Sequence, residues 1–187
     1  MSQCTEAEVR RMLPLVSEQR RETALKYKHL FGQWASLKSW LMWKSLVVGH
    51  WSLVDGQRSL EWKYNEYGKP YMEGGLEFSL SHCKYGIAVA VDDKPIGIDI
   101  ESIREFRPEL VERTMNAFEQ SAISNQQSEV ERAVEFTRLW TQKEAYLKYL
   151  GTGITDDLRH VLDNTGNAQF ETTIKTNYIY TICHEKN

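Results

Sequence analysis

Apolar residues return along this chain with two different periods. From Gln33 to Val48 they recur every three or four positions, at Trp34, Leu37, Leu41 and Leu46, the spacing of one helix face. A preceding helix of mixed polarity is expected over Glu18–Phe31, with Gly32 at the junction. After Gly49 the texture becomes turn-rich and strand-like. Leu76–Ser81 alternates, Tyr85–Val91 is an apolar run rich in β-branched residues, and His82-Cys83-Lys84 separates them, which predicts a hairpin. A third strand is predicted over Ile96–Glu101, behind the Lys94-Pro95 turn.

The helical period then returns. Arg107–Asn125 reads as helix with a break near Ala117. Glu129–Leu150 is the strongest helix of the chain, with a broad apolar face at Val130, Val134, Phe136, Leu139, Trp140, Tyr146, Leu147 and Leu150 and a capping glycine at Gly151. Gln169–Lys175 and Tyr178–Cys183 alternate as two strands around Thr176-Asn177. Helices, strands, helices and strands in that order predict an α+β protein, divided into residues 1–95 and 96–187.

Composition narrows the class. The chain has 187 residues and a net charge of −3, which argues against nucleic acid as the main partner. The charge is uneven: residues 1–50 carry eight Lys or Arg against four Asp or Glu, an excess suited to an anionic ligand or an acidic partner, or simply to a solvated helix face. Cys4, Cys83 and Cys183 have no metal or disulfide spacing, so a reducing cytosol fits best. The amino terminus does not read as a signal peptide. The longest apolar stretch, Trp40–Val48, is interrupted by Lys44 and too short to span a bilayer, so no membrane association is expected.

Candidate chemistry lies in two segments. Asp99 and Glu101 are two apart on the strand Ile96–Glu101, so both carboxylates share a face. A solvated strand would explain them; a divalent cation such as Mg²⁺ would also relieve their repulsion. Glu144 and Lys148 are four apart on the long helix, a spacing that suits a surface ion pair, but with Lys143 and the acidic strand they form a set able to handle a pyrophosphate. Ser81-His82 ends a strand, and His82 could meet a phosphate or a loop carbonyl. No Ser/His/Asp triad or Walker-type loop is present, and Gly68-Lys69-Pro70 alone is only a turn with an exposed lysine.

Four ordered motifs, Gly68-Lys69-Pro70, Phe78-Ser79-Leu80-Ser81-His82, Gly97-Ile98-Asp99-Ile100-Glu101 and Trp140-Thr141-Gln142-Lys143-Glu144-Ala145-Tyr146-Leu147-Lys148, resemble the 4′-phosphopantetheinyl transferases of the surfactin-synthetase-activating type across roughly residues 18–155. The resemblance implies a pseudo-dimeric α+β fold with two similar halves in one monomeric chain. It implies coenzyme A as donor, Mg²⁺, and transfer of the phosphopantetheine arm to a serine of an apo acyl or peptidyl carrier protein, with release of adenosine 3′,5′-bisphosphate in the cytoplasm. By position, Asp99, Glu101 and Glu144 would hold the metal. Lys69, Ser81, His82, Lys143 and Lys148 would meet the coenzyme, and Lys148 would also assist the leaving phosphate. Glu144, or a water on the cation, would serve as base, and Glu119 occupies the place of a family glutamate near the metal.

One departure stands out. Many relatives carry an arginine after the first helix, whereas Gly32-Gln33-Trp34-Ala35-Ser36 has none, leaving Lys28, His29 or Lys38 as substitutes. The longer carboxy-terminal extension of some relatives is also expected to be missing. A noncatalytic coenzyme A or carrier-protein binding module and a Mg²⁺-dependent nucleotide pyrophosphohydrolase are the alternatives.

Overall fold

The computed structural model describes residues 4–51, 61–153 and 157–186. The chain opens with a short helix that the hydrophobic pattern did not announce, α1 (Glu6–Met12), whose start is fixed by the Thr5 hydroxyl accepting from the Glu8 N–H. Ser17 caps α2 (Glu18–Leu25) in the same way. This helix stops at Leu25 rather than Phe31, and α3 (Leu30–Trp51) starts earlier than its periodicity suggested. Gly32 is therefore not the junction. It lies inside α3, where a Cβ would come within 2.8 Å of the Tyr27 ring, so its small size serves packing and not a chain break. The buried face of α3 runs through Trp34, Leu37, Trp40, Trp43 and Val47, and the expected Leu46 is turned outward.

Two very short strands, β1 (Lys63–Tyr64) and β2 (Pro70–Tyr71), pair around the glycine turn. The predicted hairpin follows as β3 (Glu77–Cys83) and β4 (Gly86–Asp92). His82 and Cys83 belong to β3, because the register closes with Cys83 opposite Gly86 and leaves only Lys84 and Tyr85 to turn. α3 packs on this hairpin and forms the larger core, in which Trp43, Trp62 and Phe78 meet ring against ring at 5.2–5.3 Å.

The second part is built on β5 (Ile96–Ser102), which pairs antiparallel with β7 (Tyr178–Glu185), itself flanked by β6 (Ala168–Ile174). α4 (Pro108–Thr114) and α5 (Ala117–Ser124) flank the break near Ala117, and α5 starts in a capping box of Asn116 and Glu119. α6 (Glu129–Leu150) has the predicted bounds: Ser128 and Glu131 form a capping box at one end, and Gly151 at φ 73° ends it. Its buried face differs from the expected one, since Val130 and Leu150 are 71% and 48% exposed while Thr137, Thr141 and Lys143 are buried. α6 lies across β5 and β7. Gly97 permits the approach, because a Cβ there would sit 1.9 Å from the Ala145 carbonyl oxygen. No helix among the described residues is long and apolar enough to cross a membrane.

Candidate active site

The two parts meet where β3 lies beside β5. Ser79 Oγ accepts from the Ile98 N–H at 3.0 Å, and Ser81 Oγ donates to Asp99 Oδ1 at 2.7 Å. Gly97, Asp99 and Glu101 are alternate residues of β5, so the face that admits α6 at Gly97 also carries both acids toward that helix. On α6 the four-residue spacing of Trp140, Glu144 and Lys148 makes one stripe. That stripe, Asp99, Glu101, Ser81 and His82 all line an open cavity of about 510 Å³.

Asp99 is the best buried of the acids, at 3% exposure. Its Oδ1 accepts from Ser81 and from Lys148 Nζ at 2.6 Å, while Oδ2 is buried without a hydrogen-bond partner among the described residues. Glu101 is three-quarters buried, with Arg104 Nη2 3.3 Å from Oε2. Burial, then the negative charge of Asp99, pushes the Glu101 carboxyl above its ordinary range. The same two causes raise Glu144, with Glu101 adding to them and Lys148 opposing. Three carboxylates therefore feel one another across the cavity.

Among the described residues no group of three or more acids, histidines or cysteines is already drawn together as a metal cage. The fit to a cation rests instead on the Asp99 oxygen that has no partner among the described residues and on two neighbouring carboxylates whose charged forms are disfavoured by burial and by mutual repulsion. An all-oxygen donor set of this kind suits a hard ion such as Mg²⁺.

A second cavity of about 540 Å³ shares Pro70, Leu80, Glu144 and Lys148 with the first and adds Lys69, Gly151 and Gly153. Lys69 is mostly buried, its Nζ 3.7 Å from Glu77 and 3.4 Å from the Ile96 carbonyl, and desolvation pulls its pKa down. His82 stacks edge-on against Phe31 at 5.6 Å. Desolvation lowers its pKa below the usual imidazole value, so at neutral pH it presents a neutral ring. Ser81 spends its proton on Asp99 and so buttresses that carboxylate.

Lys143 does not reach this cavity, which corrects its expected place near the phosphates. One residue before Glu144, it points about 100° away around the helix, with Leu139 and Leu147. Its side chain is 1% exposed, and Nζ pairs with Glu119 Oε1 at 2.8 Å and donates to the Leu158 and Arg159 carbonyls at 2.8 and 3.2 Å. Glu119 is thereby engaged in the interior as well, its other oxygen accepting from the Asn116 N–H.

The cation that the sequence reading did not single out is Arg20. It is 6% exposed, yet it lines the same cavity as Asp99 and Lys148. Its two terminal nitrogens donate to Ser36 Oγ at 3.2 Å and Tyr64 OH at 2.8 Å, and the guanidinium lies 4.1 Å over the Trp62 ring. Nε is buried without a partner, and no ion pair neutralises the group among the described residues. Lys28, His29 and Lys38 are not among the residues that line this cavity. The available signal was the Ser17 cap, which sets the start of α2 and places Arg20 and Ala24, one turn apart, on its buried face.

Residues 95–187 match the family model described as the 4′-phosphopantetheinyl transferase superfamily. The chain is 31% identical over 150 residues to the 4′-phosphopantetheinyl transferase psf-1 of Bacillus pumilus, covering 79% of this chain and 63% of the relative. It is 28% identical to 4′-phosphopantetheinyl transferase gsp of Aneurinibacillus migulanus, covering 74% and 57%, and 28% identical to a 4′-phosphopantetheinyl transferase of Bacillus subtilis, covering 86% and 73%. Residues 95–187 belong to the 4′-phosphopantetheinyl transferase superfamily, a family of transferases, and the relatives extend the similarity over most of the chain. It spans 57% and 63% of the length of the first two relatives.

Proposed function

We propose that this protein transfers the 4′-phosphopantetheine arm of coenzyme A to a serine of an apo acyl or peptidyl carrier protein, in a Mg²⁺-dependent reaction that releases adenosine 3′,5′-bisphosphate. The observation that carries the reading is the convergence of Asp99, Glu101, Glu144 and Lys148 on one cavity that Arg20 also lines. Asp99, Glu101 and Glu144 would hold the cation, which when bound supplies positive charge to the pyrophosphate.

The carrier serine is a weak nucleophile, so its proton must leave as its oxygen attacks the phosphorus next to the pantetheine arm. Glu144 is suited to accept it, because burial and the nearby Asp99 raise its proton affinity above that of an ordinary glutamate. The bond broken joins that phosphorus to the bridging oxygen of the nucleotide phosphate. Lys148, held at the cavity by Asp99, can donate a hydrogen bond or its proton to the departing oxygen. Arg20, backed by Ser36 and Tyr64 on a Trp62 face, offers a nucleotide phosphate a cation that has no ion-pair partner among the described residues. Lys69, beside Glu77, adds its ammonium in the adjoining cavity, and His82 stands ready as a neutral donor.

The fold supports a pseudo-dimeric reading with halves at 1–95 and 96–187, since each contributes a 22-residue helix packed on an antiparallel sheet. A monomer follows from that reading, and free cysteines at Cys4, Cys83 and Cys183 favour a reducing cytoplasm.

The test is intact mass spectrometry of an apo carrier protein incubated with the protein, coenzyme A and Mg²⁺, with EDTA and Asp99→Ala controls. A gain of one phosphopantetheinyl group that vanishes in both controls supports the transferase. Coenzyme A binding without any gain on several carriers would favour a binding module, and a free phosphopantetheine product would favour a hydrolase.

A further inference from the structure

Asn65 uses every hydrogen-bonding group it has. Its backbone N–H donates to the Lys69 carbonyl and its own carbonyl accepts from Gly68, both at 3.0 Å. Its Oδ1 accepts from the N–H groups of Tyr67 and Lys69 at 3.0 and 2.8 Å, the pattern by which an asparagine shapes a tight turn. None of these bonds leaves the turn. The fifth does: Nδ2 donates to the carbonyl of Gly151 at 2.8 Å, across 86 residues of sequence.

Gly151 is the left-handed cap of α6, a few residues beyond Lys148. The last carbonyls of a helix have no partner within it, and Asn65 supplies one from outside. The surfaces are matched for close approach. A Cβ on Gly151 would lie 3.2 Å from Lys69 Cδ and 3.4 Å from Asn65 Nδ2, and one on Gly153 would lie 3.3 Å from Tyr67 Cβ. Both glycines have positive φ, so they serve the backbone path and leave room for the turn.

Building on the transferase reading, we infer that Asn65 is a positioning residue: its amide latches the turn that carries Lys69 onto the end of α6, setting Lys69 against Lys148 in one phosphate-binding groove. Without the latch, the turn retains its internal bonds but loses its fixed register to the helix. Lys69 and Lys148 line the same cavity, so the error would appear there and weaken the hold on the donor. Asn65 touches no reacting atom and acts through Lys69.

Asn65→Asp separates the two roles. A carboxylate still accepts from the Tyr67 and Lys69 N–H groups, but it cannot donate to the Gly151 carbonyl. The first readout needs no ligand: the rate at which an amine-acylating reagent modifies Lys69, followed by peptide mass spectrometry. Lys69 is 16% exposed and Lys63, on the same hairpin, is 55% exposed, so Lys63 is the internal control. Release of the turn should accelerate Lys69 labelling by about fivefold, the factor expected for one lost hydrogen bond, with little change at Lys63. An unchanged Lys69 rate overturns the latch.

The second readout is coenzyme A affinity by calorimetry for Asn65→Asp, Lys69→Ala and the double variant. If Asn65 works through Lys69, the double variant binds no more weakly than Lys69→Ala alone; losses that add overturn the positioning role. Failure of the wild-type protein to bind coenzyme A would count against the transferase reading, and the labelling rates would still decide the latch.

Discussion

Lys143 and Glu119 make the sharpest test of how this site is divided between chemistry and structure. The lysine side chain is 1% exposed and the glutamate 8%, and the pair lies 2.8 Å apart. Replacing Lys143 by Met removes one partner and strands the other, for which a cost of about 3–5 kcal/mol is expected. The Leu158 and Arg159 carbonyls lose a donor as well, but Arg159 is exposed and water can replace much of that contact, so the ion pair dominates. For a chain of this size the penalty corresponds to a fall of about 10 °C in melting temperature. Urea unfolding of Lys143→Met measures it directly. In that background Glu119→Gln removes the stranded charge while an amide oxygen can still accept from the Asn116 N–H, and about 1–3 kcal/mol should return. A loss below about 1 kcal/mol for Lys143→Met would refute the reasoning and return Lys143 to the phosphates; weakened coenzyme A binding at full stability would do so most clearly.

Three further outcomes follow from the same geometry. Gly97→Ala should destabilise by about 3 kcal/mol or more, or prevent folding, because the added Cβ meets the α6 backbone at Ala145 and Tyr149 rather than a side chain that can move; wild-type-like unfolding would show that α6 can shift. Asp99→Asn should cut turnover by about a hundredfold or more with only a small change in melting temperature, since its partners Lys148 and Ser81 both retain access to the cavity; an unfolded variant would assign Asp99 to structure. In a thiol titration at neutral pH the partly buried Cys4 should react ahead of unfolding while Cys83 and Cys183 wait for it, burial having pushed the Cys183 thiol up to about 12; prompt reaction of all three would contradict the packing of β7.

Much of the frame was legible because local signals agreed with the hydrophobic period. α6 has a capping box at Ser128 and Glu131 and a glycine stop at Gly151, so its bounds could be read directly. β5 and the β3–β4 hairpin were marked by β-branched runs and turn residues. Gly32 was misread because a helix breaker and a contact glycine look alike until Tyr27 is seen against it. Lys143 and Glu144 show the same limit at the site. Adjacent residues on a helix face different surroundings, and only knowledge of which face meets β5 tells the buried ion pair from the cavity wall. Arg20 was seen as part of a basic segment, but its separate importance depends on Tyr64 and Trp62, far along the chain, closing around it.

The position of Asp99 follows from how β3 and β5 meet. They do not join as neighbours in one sheet: β3 pairs with β4, and β5 pairs with β7. Ser79 and Ser81 are alternate residues of β3, so both hydroxyls face the same way. The first satisfies the backbone N–H of Ile98, and the second binds the carboxylate of Asp99. Side-chain hydroxyls thus replace a backbone ladder along this seam. A ladder would have fixed the two strands but left the acid free; the hydroxyls fix both at once. With Lys148 reaching Asp99 from α6, the carboxylate is held from the first part of the chain and from the second. That dual support engages Oδ1 and leaves Oδ2 without a partner among the described residues, at the junction where both parts contribute to the cavity.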